Sequence, residues 1–375
     1  MYVLSYRRSR AVLTVLSVAV LGLAAPAAQG ASPAPADPKA DAHTDTGADA
    51  KAGKEAREAA RYWTARRMAN ARPLDEARSA PSASGRPGSA AAAARPTGTQ
   101  FGGTPLVGTF FGSGGPGGTA WHCTGSVIAT ASKNIVLTAA HCGLNMQGDY
   151  VFVPKFLKGA NPDRQPYGIF HVQRIFTDPR YVPDPGRTTT KKPWSDLDTA
   201  FARVSANQQG TTLQDAVAGG LTFTRPSGYT NRNVTVVGYP SQAHNSAGRA
   251  LKCTVPTKQL PGYRQMSMTC GGYYGGVSGS PWITDYKDGA TTGHVIGNLG
   301  GYNGGGNDAN VDYISYAPAF GADAADLLAC AVANRQPPSD LPPYPGTAAG
   351  RRGGTGPGQH SDLLLHHGTR PPAHQ

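Results

Sequence analysis

Between residues 106 and 316 the chain keeps no pattern for long: short runs rich in Val, Ile, Phe and Tyr are cut every few residues by Gly, Pro, Asn or Asp. The runs are Leu106 to Phe111, Ser126 to Thr130, Ile135 to Thr138, Tyr150 to Pro154, Gly168 to Phe176 and Thr199 to Val204. They continue with Val234 to Tyr239, Gln265 to Cys270, Pro281 to Thr284, His294 to Leu299 and Val311 to Tyr316. β-Branched and aromatic side chains suit a pleated, half-buried surface, and turn residues this frequent leave little room for helices between the runs. Many short strands at this spacing predict an all-β sandwich or barrel arrangement. The exception is Ala322 to Asn334, which reads as one closing helix, ended by Pro337-Pro338.

The flanks differ from this region. Of 375 residues 49 are Gly and 31 Pro, so much of the chain is turn, loop or unstructured segment and one compact region of ordinary size is expected. Residues 1–30 carry a basic start (Arg7, Arg8, Arg10), an apolar run from Ala11 to Ala25 and a small-residue exit, the layout of a secretory signal peptide too short to span a membrane. Export through the general route to an extracellular location follows, with no membrane partner. Residues 31–100 are Ala-, Pro-, Ser- and Gly-rich around a helix-prone, charged segment from Lys51 to Ala71, and read as a propeptide or a disordered linker. The compact domain runs from 101 to 335, and 336–375 read as a disordered tail. The formal net charge of +12 lies largely in the flanks, and no basic stripe interleaved with aromatics is present, so no nucleic-acid partner is expected.

Export makes the five cysteines readable as disulfides. Cys123 and Cys142 are close in sequence, as are Cys253 and Cys270, which leaves Cys330 over. Each short bridge stabilises the fold by about 3 kcal/mol in the chain-entropy model. No two cysteines have zinc-finger spacing, and the tail histidines His360, His366, His367 and His374 have no scaffold, so neither metal nor organic cofactor is expected.

Three stretches carry reactive groups. In Gly276-Val277-Ser278-Gly279-Ser280-Pro281 a serine sits among glycines that let backbone amides converge beside its hydroxyl. In Ile135-Val136-Leu137-Thr138-Ala139-Ala140-His141-Cys142 an apolar strand runs into a histidine, with Cys123-Thr124-Gly125-Ser126-Val127-Ile128 before it. Between them, Trp194-Ser195-Asp196-Leu197-Asp198-Thr199-Ala200-Phe201 offers two aspartates. Acyl transfer by serine needs a base to take the hydroxyl proton and a carboxylate to hold the base's tautomer, and the chain supplies both.

With these motifs the region from Thr104 to Asn334 resembles the chymotrypsin-like (trypsin-fold) serine peptidases, whose histidine sits in the same Thr-Ala-Ala-His-Cys context. It looks most like the secreted actinobacterial type, and its serine stretch is similar to the glutamyl-endopeptidase pattern Gly-x-Ser-Gly-Ser-Pro. The resemblance implies two antiparallel β-barrels, an active site in the cleft between them, and a monomer that hydrolyses peptide bonds in peptides or proteins through an acyl-enzyme. Ser278 is then the nucleophile, His141 the general base and acid, and Asp198 the orienting carboxylate. Asp198 is preferred because Thr-Ala-Phe follows it, matching the family's Asp-x-Ala-apolar pattern, and Asp196 is read as a solvated turn residue. The amides of Gly276 and Ser278 would form the oxyanion hole, and the stretch containing Asn298, Leu299 and Gly300 would pair with the substrate backbone. The rival from another class is a secreted, non-catalytic binding protein on the same fold.

Two further readings rest on this resemblance. Val277 stands where the animal enzymes carry an aspartate, so no buried ion pair with a new amino terminus can form. The base of the specificity pocket falls at Gly272, with no carboxylate there for an arginine or lysine. An apolar pocket is preferred over a glutamate pocket. The latter is suggested by Glu55, Glu58 and Glu76 all lying before Phe101, but its histidine candidate, His294, is four residues from Asn298.

Overall fold

The computed structural model describes residues 46–74, 95–114, 119–144 and 149–345. The signal peptide read at 1–30 and the tail beyond 345 lie outside the described residues. Helix α1 (Thr46–Tyr62) and the short α2 (Ala65–Ala69) lead to β1 (Arg72–Pro73), and β2 (Thr99–Phe101) starts the two-barrel region. Within the stretch read as a propeptide or a disordered linker, residues 46–74 are structured and packed into the core. Ala56, Ala59 and Trp63 form one buried stripe at helical spacing, while Lys51 and Lys54 pair outward with Glu55 and Glu58.

The first barrel is β3 (Val107–Gly112), β4 (Trp121–Ile128), β5 (Ile135–Thr138), β6 (Tyr150–Pro154), β7 (Phe170–Thr177) and β8 (Ala200–Val204). The order β4-β3-β6-β7-β8-β5 closes through β4–β5, with every one of these pairings antiparallel. Side chains alternate with period two. Phe110, Val136, Phe152 and Ala202 join one buried cluster with Trp121 and Phe170, whereas Phe111, Leu137, Val151 and Phe201 join another. Both faces of the sheet are thus apolar, and the second needs a cover. The N-terminal segment supplies Trp63, Met68 and Ala71, the C-terminal helix Ala322–Val332 supplies Leu327 and Ala331, and the second barrel supplies Val237 and Ile283.

The second barrel holds β9 (Thr222–Phe223), β10 (Val234–Gly238), β11 (Ala250–Val255), β12 (Lys258–Gln259), β13 (Gln265–Thr269), β14 (Pro281–Thr284), β15 (His294–Asn298) and β16 (Ile314–Pro318). One sheet has the order β2-β11-β10-β14-β15-β9 and the other β12-β13-β16. A bridge between Gly297 and Ala319 and the Cys253–Cys270 disulfide join them. Val236, Met266, Met268, Trp282 and Ile296 fill the core. The two-barrel expectation holds.

Three readings are corrected. The strand read as Ser126 to Thr130 runs from Trp121 to Ile128, because the buried polar residues His122 and Thr124 interrupt the apolar run that marks a strand in the sequence. The closing helix stops at Val332, with Asn334 in the left-handed region at φ 54°. The tail is placed as far as residue 345: Tyr344 packs on the barrel and its hydroxyl donates to Asp196 Oδ2 at 3.0 Å.

Candidate active site

β5 delivers the histidine. Paired on both sides with β4 and β8, it turns after Ala139 into the short helix Ala140–Gly143 that carries His141, and the Cys123–Cys142 disulfide ties that turn back to β4. Opposite, the 3-10 turn Pro193–Leu197 ends at Asp198, directly before β8. His141 Nδ1 lies 2.8 Å from Asp198 Oδ2, with both side chains fully buried. Asp198 also accepts the amides of His141 at 2.9 Å and Gly301 at 2.7 Å. A carboxylate surrounded by donors takes the imidazole's Nδ1 proton as a hydrogen bond, which leaves Nε2 to act as a base. A side chain at Gly300 would place its Cβ 2.9 Å from Asp198 Oδ2, so only glycine allows this approach.

The serine loop is held from the first barrel. Thr124 donates its amide to the Ser278 carbonyl at 2.8 Å and its hydroxyl to the Gly276 carbonyl at 2.9 Å. The Thr124 hydroxyl in turn accepts the Tyr239 amide at 3.0 Å. Val277 is buried among Leu251, Tyr273 and Trp282, and the Ser280 hydroxyl donates to the Val277 carbonyl at 2.6 Å. Apolar packing holds the loop where an ion pair cannot. Gly276 has φ 92°, and a Cβ there would meet His122 Cε1 at 2.2 Å. Thr124 and His122 were not singled out in the sequence; a polar residue at every second position before Ser126 was the only available signal.

Both ring nitrogens of buried His122 lack a hydrogen-bond partner among the described residues, and burial pushes its pKa down from 6.5 to about 4. The folded state therefore binds this proton less readily than the unfolded chain. Its stability is intact above pH 6.5 and falls as the pH drops towards about 4, by roughly 3 kcal/mol in all. Urea unfolding at pH 7 and pH 4 is expected to show this loss, and His122→Phe to remove most of it. An unchanged slope in the variant would contradict the assignment.

Asp196 is not the solvated turn residue expected. Its side chain is 2% exposed and accepts hydrogen bonds from the Arg264 amide at 3.1 Å, Gln265 Nε2 at 2.9 Å and the Tyr344 hydroxyl at 3.0 Å. Burial raises its pKa, and the hydrogen bond from Gln265 opposes that rise most. Asp196 thus braces the turn that presents Asp198 from below.

The stretch expected to pair with substrate is largely committed to the scaffold. Asn298 Nδ2 donates to the Asp198 carbonyl at 2.9 Å and its Oδ1 accepts from the Thr199 hydroxyl at 2.8 Å. The Leu299 amide goes to the Ser280 carbonyl and the Leu299 carbonyl accepts the Gly279 amide, each at 2.7 Å. The Gly300 amide goes to the Tyr316 carbonyl at 3.1 Å. Through these groups Asn298 and Leu299 bind the two halves of the site together. At Gly272 the fold brings a carboxylate that the local sequence lacks: the Gly272 amide donates to Asp312 Oδ2 at 2.7 Å. His294 is exposed at the far end of β15, within 3.0 Å of the Thr224 hydroxyl.

Two β-barrels with a buried His–Asp pair from the first and a glycine-flanked serine from the second define the chymotrypsin-like architecture. Residues 98–319 match the trypsin family, and the chain belongs to it. No curated protein matches the chain. Among solved structures it is similar to the protease Anisep from Arthrobacter nicotinovorans, at 22% identity and a TM-score of 0.50, covering 63% of this chain and 100% of that one. A thermostable serine protease AL20 from an extremophilic microorganism aligns at 22% identity and a TM-score of 0.47, covering 62% of this chain and 99% of that one. A Glu endopeptidase in complex with MPD aligns at 18% identity and a TM-score of 0.46, covering 64% of this chain and 98% of that one.

Proposed function

We propose that the chain is an exported serine endopeptidase in which Ser278, His141 and Asp198 act as a triad. The observation that carries the reading is the buried His141 held by Asp198 through both its ring and its own amide. Ser278 Oγ attacks the scissile carbonyl as its proton passes to His141 Nε2, and the amides of Gly276 and Ser278 stabilise the oxyanion. His141 then returns that proton to the leaving amine. Water, deprotonated by the same nitrogen, attacks the acyl-enzyme and releases the carboxylic acid. With the Gly300 amide occupied, the substrate strand meets this stretch through the Gly300 carbonyl. The two disulfides support an oxidising, extracellular setting.

The Asp312 carboxylate that accepts the Gly272 amide would stand beside the pocket expected there, repelling a glutamate side chain and tolerating an uncharged or cationic one. A digest of an unfolded protein, with every cut site mapped, tests activity and preference together. Cuts are expected after uncharged or basic residues, with glutamate at least tenfold behind, about 1.4 kcal/mol of discrimination. Asp312→Asn should narrow that gap. No cleavage would overturn the endopeptidase reading, and dominant cleavage after glutamate would overturn the pocket assignment alone.

A further inference from the structure

Residues 46–74 meet the barrels through a surface built like a core. Trp63 and Met68 are fully buried, Leu74 is 1% exposed, and Trp63 lies 5.7 Å from the Phe111 ring between centroids. Ala56 and Ala59 bring α1 close to the sheet because they add no bulk beyond Cβ. The Glu55 carboxylate lies 3.8 Å from His171 Nδ1 on β7. β1 adds a parallel edge strand to β4, with Arg72 opposite Trp121 and Pro73 opposite His122, and the Arg72 amide donates to the Ala120 carbonyl at 3.0 Å. Removing the segment would expose Phe111, Trp121 and their neighbours and reopen the edge of β4, which unpaired chains use for aggregation.

The chain beyond residue 94 has its own anchorage. β2 pairs with β11, the Gly98 amide donates to the Gly271 carbonyl at 2.9 Å, and the Gly271 amide to the Pro96 carbonyl at 2.8 Å. Neither attachment depends on the peptide bonds of residues 75–94. We propose that residues 46–74 are a permanent subunit of the folded enzyme, and that a cut within 75–94 yields two chains held together without a covalent link. A pro-segment of the usual kind would leave on processing; this one stays because it completes the first barrel's outer layer.

The test uses the full chain with Ser278→Ala, so that its outcome is independent of the catalytic reading. A recognition sequence for a site-specific protease is inserted between Gly85 and Arg86, the protein is cut, and the products are separated by gel filtration in native buffer. The N-terminal fragment is expected to co-elute with the body at about one copy each, as a core-like interface requires, and to separate in denaturant. Elution of the fragment apart from the body, whether the body stays in solution or precipitates, overturns the proposal. In the same cut chain, Trp63→Ala should lower the urea concentration at which the fragment leaves. Release at an unchanged concentration would show that the buried Trp63 anchor does not hold it, and would also overturn the proposal.

Discussion

Ser278→Ala is expected to lower kcat by about four to six orders of magnitude while the protein folds as before. The hydroxyl is the only atom removed, and the Ser278 carbonyl keeps its hydrogen bond from the Thr124 amide. The neighbouring anchors, Val277 in the second core and the Ser280 hydroxyl on the Val277 carbonyl, are untouched. Thermal unfolding and circular dichroism should therefore match the parent chain. Peptide hydrolysis under saturating substrate checks the prediction; a variant that keeps a tenth of the parent rate would remove Ser278 from the chemistry.

Asp198→Asn is expected to cost about 10⁴-fold in kcat with little change in KM, for a reason that lies in proton placement rather than shape. Asp198 offers acceptors to three donors: the His141 ring, the His141 amide and the Gly301 amide. An asparagine keeps one acceptor oxygen and brings an NH₂ group. If the oxygen stays on the His141 amide, the NH₂ takes the place of Oδ2 and faces Nδ1 as well as the Gly301 amide; Nδ1 then accepts, and the tautomer's proton moves to Nε2 where the base is needed. The loss should shrink at high pH, where the serine alkoxide is more accessible. Asp196→Asn, by contrast, should alter rate far less, because Asp196 touches the turn from behind through Gln265, Arg264 and Tyr344 and not the imidazole. Equal losses in the two variants would contradict the choice of Asp198.

What the sequence made legible was local in character. Alternation in β3, β5, β6 and β8 follows from period-two burial, and His141 and Ser278 stand in motifs contained within a few residues. What it hid depends on residues far apart in the chain. Asp196 looks like a turn acid until Arg264 and Tyr344 close over it, and Gly272 looks uncharged until the fold brings Asp312 to its amide. Trp63 sits in the helix-prone, charged segment of a stretch that reads as a propeptide or a linker; its burial requires an apolar outer barrel face to receive it. β11 was missed because Lys252 and Thr254 alternate with Leu251 and Cys253, which shortens the apparent apolar run. Thr124 illustrates the same limit in the active site, since only the folded loop reveals that its hydroxyl bridges Gly276 and Tyr239.

The central claim is that one serine, activated by His141, forms a covalent acyl-enzyme. Incubating the purified protein with a fluorophosphonate and mapping the adduct by peptide mass spectrometry tests it most directly. The account predicts stoichiometric modification of Ser278, lost in Ser278→Ala and strongly slowed in Asp198→Asn. No adduct, or an adduct on another residue with Ser278 unmodified, would contradict it and return the chain to the non-catalytic binding role.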